Sequence, residues 1–413
     1  MQHYTSALAM KRHVNAFFAP YRAFFALPDV TAMVLVAWVS RLPVGMIGLA
    51  MVMFMRESLG DFRAAGSVVG AYFVAMAIFA PVCGRIIDRV GPYWPLRTTG
   101  VLHSVLLALL FVVATERMSQ WVVMLAAAIA GAFSPPIAVL TRTLWRHRFT
   151  DETNRRMAFS VDSIMIELNF TVGPALIAMV IAGFGTRAAF LMAVLVTFAA
   201  FVIFLFTPAL AYWKQEPHIE RHFLGPLTEP RLVGLFVVTF GLTFSFGILE
   251  VVYPAFATHL ALPVLAGVFL GVNSLGSAVG GAIYGVLHLK ATLERQFAYA
   301  LGIMSVPFLL HWWVDQTVVF GVIAFFAGTL IAPALTAQTL LITRIAPNKY
   351  ATEAFTWSAT FIVSGIGIGM AAGGAVAELI DVKSTFLLGS VVLAGMAIAA
   401  LLLQPRRHDA RGA

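Results

Sequence analysis

The chain alternates between long apolar runs and short polar breaks. Nine runs of at least 18 residues contain no Asp, Glu, Lys or Arg, and they cover 64–84, 98–115, 118–141, 188–213, 232–249, 296–314, 316–343, 354–377 and 384–405. A longer run, 251–289, has room for the end of one span, a turn at Ala261-Leu262-Pro263 and a second span. Two further spans carry internal charges: 31–55 contains Arg41, and 157–182 contains Asp162 and Glu167. Since a membrane-spanning helix needs about 20 mostly apolar residues, the pattern predicts twelve transmembrane helices.

The longest polar break divides these spans into two sets of six. It covers 207–230 and separates a six-helix bundle at 31–206 from another at 231–404. The remaining segments are 1–30 at the N-terminus and 405–413 at the C-terminus, both expected in the cytoplasm. No cleavable signal peptide is expected in 1–30, because no compact apolar core precedes a cleavage site there.

Composition and charge fit a protein immersed in lipid. Hydrophobic residues make up 60% of the chain, charged residues make up 11%, and mean hydropathy is +0.90. Soluble domains are about 25% charged, so a soluble globular class is excluded. With both termini inside, the inner connections hold 21 of the 27 Lys and Arg residues and the outer ones hold 5, as the positive-inside rule requires. The net charge of +8 therefore reports membrane orientation, and no nucleic-acid partner is expected.

The two halves resemble each other at several positions. Ala130-Gly131 in the fourth span corresponds to Ala327-Gly328 in the tenth, and the AGSVVG segment at 65–70 corresponds to AGVFLG at 266–271. Collinear matches across several spans predict parallel repetition of two six-helix bundles, with a central site between them.

The connection after the second span carries a recognisable motif. Its sequence is GRIIDRVG at 84–91, a glycine followed four residues later by an aspartate, then by a basic residue and another glycine. This motif resembles the signature of the major facilitator superfamily, and the resemblance extends over roughly 30–405. It implies an all-α membrane protein with two pseudo-symmetric bundles. It also implies that this connection latches the halves on the cytoplasmic side in the outward-open state, so the expected gating residues are Gly84, Arg85, Asp88, Arg89 and Gly91.

A second resemblance lies in the fifth span, at Gly173-Pro174. Proton-driven exporters of the superfamily carry a Gly-Pro there, which implies a gating role for both residues. The expected mechanical role is a kinked small-residue surface where the fifth span meets the eighth. The eighth span is expected to contribute the matching small residues to this contact, namely Gly276, Gly280, Gly281 and Gly285.

Ionisable residues inside a span are functional candidates because they are costly in lipid. Arg41 lies ~15 Å into the first span and Glu167 lies ~16 Å into the fifth, at 1.5 Å per residue. We expect them to meet as a charge switch, in which protonation of the glutamate frees the arginine for an anionic substrate. A buried ion pair with only a structural role is the alternative. Glu250 in the seventh span is a second proton-site candidate, with an outer carboxylate facing water as its alternative, whereas Asp162 is expected near the cytoplasmic mouth.

Polar and aromatic residues are expected to line the central cavity. The candidates for substrate or proton binding, beyond the three charged residues, are Trp38, Asn169, Tyr253, Asn273, Gln338 and Trp357. In the fourth span, Pro135-Pro136 is expected to match Pro333 of the tenth as a bending element. His103, His259, His288 and His311 are expected at membrane interfaces.

The sequence therefore predicts a secondary transporter that works by alternating access. The leading expectation is proton-coupled export of a small amphipathic compound, energised by the proton gradient without a cofactor. The alternatives are a proton-coupled importer or uniporter of a small organic anion or nutrient, and a non-transporting membrane receptor. No motif of an enzyme or ATP-driven pump is present. The expected partners are a small-molecule substrate, protons and membrane lipid, and the chain is expected to be a monomer in a bacterial inner membrane.

Overall fold

The structure is a computed structural model that describes residues 21–213, 224–287, 289–347 and 351–403. Within those ranges, the side chains of Asp88 and Glu167 lie outside the described part. Both predicted roles therefore concern side chains outside the described set. The predictions about the chain termini and His288 also concern residues outside the described set.

Thirteen α-helices account for most of the described chain. They are α1 (Val30–Leu59), α2 (Phe62–Val90), α3 (Tyr93–Thr115), α4 (Gln120–Ala132), α5 (Ile137–Arg148), α6 (Glu152–Leu205), α7 (Pro230–His259), α8 (Val264–Val286), α9 (Leu293–Leu310), α10 (Thr317–Gly328), α11 (Ile331–Ile345), α12 (Ala351–Leu379) and α13 (Val382–Leu402). No β-strand occurs in the described ranges.

The thirteen helices are consistent with twelve crossings of the membrane. Ten segments are long and apolar enough to span, and they include α4 with α5 and α10 with α11 as continuous units. The 54 residues of α6 would reach ~80 Å as one helix, more than twice the hydrocarbon thickness. Gly185 breaks α6 into two spans with φ 84° and ψ 172°. The 18-residue α9 supplies the remaining crossing.

The predicted internal repeat appears as a repeated packing contact. A Cβ atom at Gly131 would collide with the backbone oxygen of Tyr72, where α4 crosses α2. In the second half, a Cβ at Gly328 would collide with the backbone oxygen of Asn273, where α10 crosses α8. Both glycines permit the close helix approach that small residues allow in membranes. The same contact therefore organises each bundle.

Helix α4 is separated from α5, and α10 from α11, by a short non-helical link. Proline occupies the first of these links but not the second. Pro135 and Pro136 occupy the non-helical link between α4 and α5. The corresponding link between α10 and α11 is at Thr329-Leu330, and Pro333 already lies in the first turn of α11. A proline in a first turn removes no helical hydrogen bond, so Pro333 favours the start of α11 and does not bend it.

On the outer side, the two bundles are in direct contact. A Cβ at Gly66 of α2 would lie 2.5 Å from the Met370 backbone oxygen of α12, and one at Gly267 of α8 would lie 2.5 Å from the Pro174 backbone oxygen of α6. The backbone N–H of Phe62 donates to Glu378 Oε2 at 3.2 Å, which joins α2 to α12 at their outer ends. The outer side is closed.

A further contact between α2 and α12 lies in the middle part of both helices. The Thr360 hydroxyl donates to the Ala77 carbonyl at 3.5 Å. Beyond that level, the apolar side chains of Ile86 in α2, Ile283 in α8 and Phe355 in α12 are exposed. These exposed apolar side chains are consistent with looser packing of the bundles on the side assigned to the cytoplasm.

Candidate functional site

Arg41 is buried within the first bundle. Its side chain is 3% exposed. Its Nε donates to the backbone oxygen of Ala37 at 2.9 Å, and its Nη2 donates to Asp162 Oδ1 at 2.6 Å. An unpaired charge at this depth would be strongly destabilising, so the carboxylate of Asp162 is what makes a buried guanidinium tolerable here.

Asp162 binds two arginines at once. While Oδ1 accepts from Arg41 of α1, Oδ2 accepts from Arg142 Nε of α5 at 3.3 Å. The Asp162 side chain is 1% exposed, whereas that of Arg142 is 56% exposed. With Asp162 ionised, the three groups carry a net charge of +1. Asp162 was expected near the cytoplasmic mouth, and its carboxyl group is covered there by Arg41 of α1 and Arg142 of α5 and does not face water.

Glycines place Asp162 against Arg41. A Cβ at Gly45 would collide with the Asn169 backbone oxygen, and one at Gly173 would lie 2.6 Å from the Gly45 carbonyl carbon. These contacts bring the backbones of α1 and α6 together. Asp162 and Asn169 are seven residues apart and therefore lie on one face of α6, the face that is packed on α1. The Asn169 Nδ2 donates to the Trp38 backbone oxygen at 3.4 Å.

Several polar atoms around this pair are buried without a hydrogen-bond partner among the described residues. They are Trp38 Nε1, Ser40 Oγ, Arg41 Nη1 and Asn169 Oδ1. Such atoms are rare in folded proteins and need an explanation, which can be an absent water or ligand. Three of them belong to predicted site residues, so Arg41, Trp38 and Asn169 do lie together.

Glu250 lies where the bundles meet. It is half-buried in α7, and its Oε2 is 3.3 Å from the position of a Cβ on Gly48 in α1. Within the described part of the chain, no hydrogen bond or ion pair to its carboxyl group is found. This placement does not fit an outer carboxylate that faces open water.

The other predicted cavity residues are held inside the second bundle. Tyr253 is fully buried and packs against Phe269, Phe320 and Phe386 with ring centroids about 6 Å apart. Its hydroxyl has no partner among described residues. The Asn273 side chain donates to the Ala324 backbone oxygen at 3.0 Å. Tyr253 and Asn273 therefore belong to the packed core of the bundle, and not to the cavity lining.

Gln338 and Trp357 lie on helices α11 and α12. The Gln338 Nε2 donates to Ser358 Oγ at 2.7 Å, and both side chains are buried. Trp357 is half-buried, with its ring 6.3 Å from that of Phe361. The Gln338–Ser358 bond joins α11 to α12, whereas the Trp357–Phe361 contact lies within α12.

Two of the histidines expected at interfaces are in the core. His103 is buried, and its Nδ1 lies 2.8 Å from the Ala130 backbone oxygen. His311 is fully buried and stacks on Phe386, with 4.5 Å between ring centroids. The expectation fails because both rings pack under neighbouring helices. His259 is exposed, in agreement with it.

The GRIIDRVG motif is helical and not a loop. Its residues up to Val90 form the last turns of α2, and Gly91 ends the helix with φ 83° while its N–H donates to the Ile87 oxygen. A Cβ at Gly84 would meet no described atom within 4 Å, so Gly84 makes no close contact with another helix in the described part of the chain. Arg85 and Arg89 extend from the same exposed turns.

The Gly-Pro segment contacts two different helices. Gly173 faces Gly45 of α1, whereas the Pro174 carbonyl faces Gly267 of α8. The glycines of α8 that were expected to pack against α6 lie elsewhere. Gly276 and Gly280 pack on the backbone oxygens of Phe325 and Thr329 within their own bundle. Gly281 faces Ala332, and a Cβ at Gly285 would meet nothing described within 4 Å. The partner of α6 is Gly267, near the outer end.

The pairing of Asp162 with Arg41 and Arg142 was not anticipated from the sequence. A signal was present, because Arg142 is the first charge after an uncharged run of 24 residues, 118–141. The seven-residue spacing of Asp162 and Asn169 was another. Among the described residues, no group of three or more His, Cys, Asp and Glu side chains is placed to hold a metal ion.

Similarity to known proteins agrees with this architecture. A family model of the Major Facilitator Superfamily matches residues 33–365. No curated protein matches the chain by sequence. The folds of two structures of the nucleoside transporter NupG are similar, one of them of a mutant, with TM-scores of 0.77 and 0.71 and identities of 13% and 12%. They cover 90% and 91% of this chain and 99% of their own.

The human organic anion transporter MFSD10 (TETRAN) also has a similar fold. Its TM-score is 0.61 at 17% identity, and the match covers 91% of this chain and 99% of that one. At these identities the likeness concerns the fold alone. The family match extends over most of the chain, and the chain therefore belongs to the Major Facilitator Superfamily.

Proposed function

We propose that the chain is a proton-coupled secondary transporter of a small organic anion, working by alternating access. The observation that carries the proposal is the buried ion pair of Arg41 and Asp162. Arg142 also pairs with Asp162, so the three groups together have one excess positive charge. Asp162 is the proposed proton acceptor, and the two arginines are the proposed source of attraction for the anion.

The charges determine whether the proton and the anion move together. Protonation of Asp162 would change the net charge of the three groups from +1 to +2 and release both guanidinium groups. A site of charge +2 binds an anion more tightly, and by reciprocity a bound anion raises the affinity for the proton. Two ligands that favour each other's binding cross the membrane together, so this geometry supports cotransport. Driven by an inward proton gradient, it would import the anion.

Proton-coupled export of an amphipathic compound is the second candidate. It is favoured by Pro174 of the exporter-like Gly-Pro segment, which contacts Gly267 at the closed outer side. Export against proton entry requires the substrate and the proton to compete, for example through a substrate group that binds ionised Asp162. Glu250 lies at the contact of α1 with α7 and has no partner among the described residues. It is the proposed second proton site in either case.

Transport into proteoliposomes distinguishes the candidates. The panel should contain permanently ionised sulfonates beside carboxylates, because weak acids also cross bilayers in their neutral form. With the external medium more acidic than the lumen, we expect anion accumulation that an uncoupler abolishes and that protein-free liposomes lack. Accumulation only with the reversed gradient would support export, and indifference to the gradient would leave uniport and contradict proton coupling. We propose a bacterial inner membrane as the location and a monomer as the working unit.

A further inference from the structure

We propose that Arg142 is the residue that binds the anionic group of the substrate, and that the group is a single oxyanion such as a carboxylate or sulfonate. The inference rests on the proposed function, which it deepens by naming the docking residue and the chemical class. The two arginines bind Asp162 unequally, since Arg41 is buried and Arg142 is exposed.

Arg41 is fixed, whereas Arg142 is available. Arg41 donates through Nε to its own helix and through Nη2 to Asp162 at 2.6 Å, and its side chain is 3% exposed. Arg142 makes one longer contact, 3.3 Å from Nε to Oδ2, and its side chain is 56% exposed. Among the described residues, Asp162 is the sole partner of Arg142. A ligand can therefore reach its two terminal nitrogens without breaking any other contact.

A water-filled cavity beside the exposed edge of Arg142 is energetically more favourable than lipid. Arg142 lies six residues before Arg148, the last residue of α5, and so ~9 Å from the inner end of that helix. A guanidinium at such depth is stable in a water-filled cavity or against a carboxylate, and costly in hydrocarbon. In the proposed site, a solute from the inner compartment approaches this exposed edge, since 56% of the Arg142 side chain is exposed.

The surroundings offer a second donor for the same ligand. The Nη1 of Arg41 is buried and has no partner in the described part of the chain. A planar guanidinium edge matches the two oxygens of an oxyanion in a bidentate pair. The geometry thus suits one oxyanion that replaces Asp162 on Arg142 once Asp162 is protonated, with Arg41 Nη1 as the adjoining donor.

Binding to the purified full-length protein in detergent tests the assignment without any proton gradient. The probes are benzoate, benzenesulfonate and phenyl phosphate, with the neutral analogues benzamide and benzenesulfonamide, measured by thermophoresis. We expect the wild-type protein to bind the anions about tenfold or more tightly than the neutral analogues, as loss of a charge-assisted hydrogen bond implies. Arg142→Gln should lower anion affinity to the level of the neutral probes. Arg142→Lys should keep part of it, since charge remains while the bidentate edge is lost.

Arg146→Gln is the matched control. It removes a cation from the same exposed face of α5, one turn away, and should change anion affinity by less than about twofold because solvent screens it. Equal losses in Arg142→Gln and Arg146→Gln would overturn the proposal in favour of a general surface potential. So would unchanged binding by Arg142→Gln, or failure of the wild-type protein to prefer any anionic probe. Anion binding that depends on Arg142 in a protein whose transport ignores the pH gradient would contradict the proposed function alone.

Discussion

At the scale of single residues, the proposed site is a carboxylate enclosed by two guanidinium groups. Burial makes the Arg41–Asp162 pair costly to form and more costly to break, because removing one partner leaves an uncompensated charge. The buried atoms without partners around it, on Trp38, Ser40 and Asn169, mark the same place. A site that is satisfied only with a ligand or water present is a reasonable place for a transported solute.

The first prediction concerns this pair. Asp162→Leu alone should destabilise the folded protein by about 3–5 kcal/mol because it leaves the buried guanidinium group of Arg41 without a partner. Arg41→Leu should cost less because Asp162 keeps its pair with Arg142, and the double variant should lose less than Asp162→Leu alone. Thermal unfolding in detergent checks the order of the three variants. Arg187→Leu is the control, since its pair with Glu57 is half-exposed and such pairs contribute about 0–1 kcal/mol. A double variant with the summed loss of both singles would contradict an interaction between Arg41 and Asp162.

At the scale of helices, glycine determines which elements touch. Gly131 and Gly328 occupy equivalent crossings of α4 on α2 and of α10 on α8, and in each case a backbone oxygen fills the space of a Cβ. A backbone atom cannot move aside as a flexible side chain can. The two bundles therefore share a packing rule as well as a sequence repeat.

We predict that Gly131→Ala and Gly328→Ala each lower the midpoint of thermal unfolding. The added methyl group must push apart two helices that are otherwise well packed, and overpacking of this kind costs about 1–3 kcal/mol. Gly395→Ala on α13 is the matched control, because a Cβ there meets no described atom within 4 Å. It should be neutral or stabilising, since alanine favours helices over glycine by about 1 kcal/mol. Equal behaviour of all three variants would refute the close crossings.

The helices themselves could be predicted from the sequence, whereas the pairing of charges could not. Apolar run length determines how often the chain crosses, so the spans and the repeat at Ala130-Gly131 and Ala327-Gly328 agree with the structure. Depth and rotation are not determined by run length. Asp162 was therefore expected near the cytoplasmic mouth, whereas in the structure Arg41 of α1 and Arg142 of α5 cover its carboxyl group. Tyr253 and Asn273 were expected to line the cavity, whereas they pack within the second bundle.

At the scale of the whole molecule, the outer contact between bundles defines the state. Gly66 and Gly267 allow α2 to meet α12 and α8 to meet α6, while Glu378 accepts from the outer end of α2. These contacts join the bundles without contributing to the packing inside either. Opening the outer side must break them, and closing the inner side must make new ones.

Gly267→Val should therefore hold the outer side open without unfolding either bundle, because its side chain would collide with Ala178 and the Pro174 carbonyl. Spin labels at Met118→Cys and Leu262→Cys, in a Cys83→Ser background, report the outer separation of the bundles by electron spin resonance. The label distance should lengthen in Gly267→Val. Gly285→Val, on the same helix at its inner end and with no described atom nearby, should leave it unchanged. A lengthening in both variants would disprove a specific outer contact at Gly267.

The most direct test of the central claim is proton uptake on anion binding. Purified protein in weakly buffered solution is titrated with benzenesulfonate, which stays ionised, so any proton taken up belongs to the protein. We predict uptake of up to about one proton per chain in the wild-type protein, as linkage between anion and proton requires. Asp162→Asn should bind the anion and take up none. Uptake by Asp162→Asn equal to that of the wild-type protein would contradict the assignment of Asp162 as the proton site.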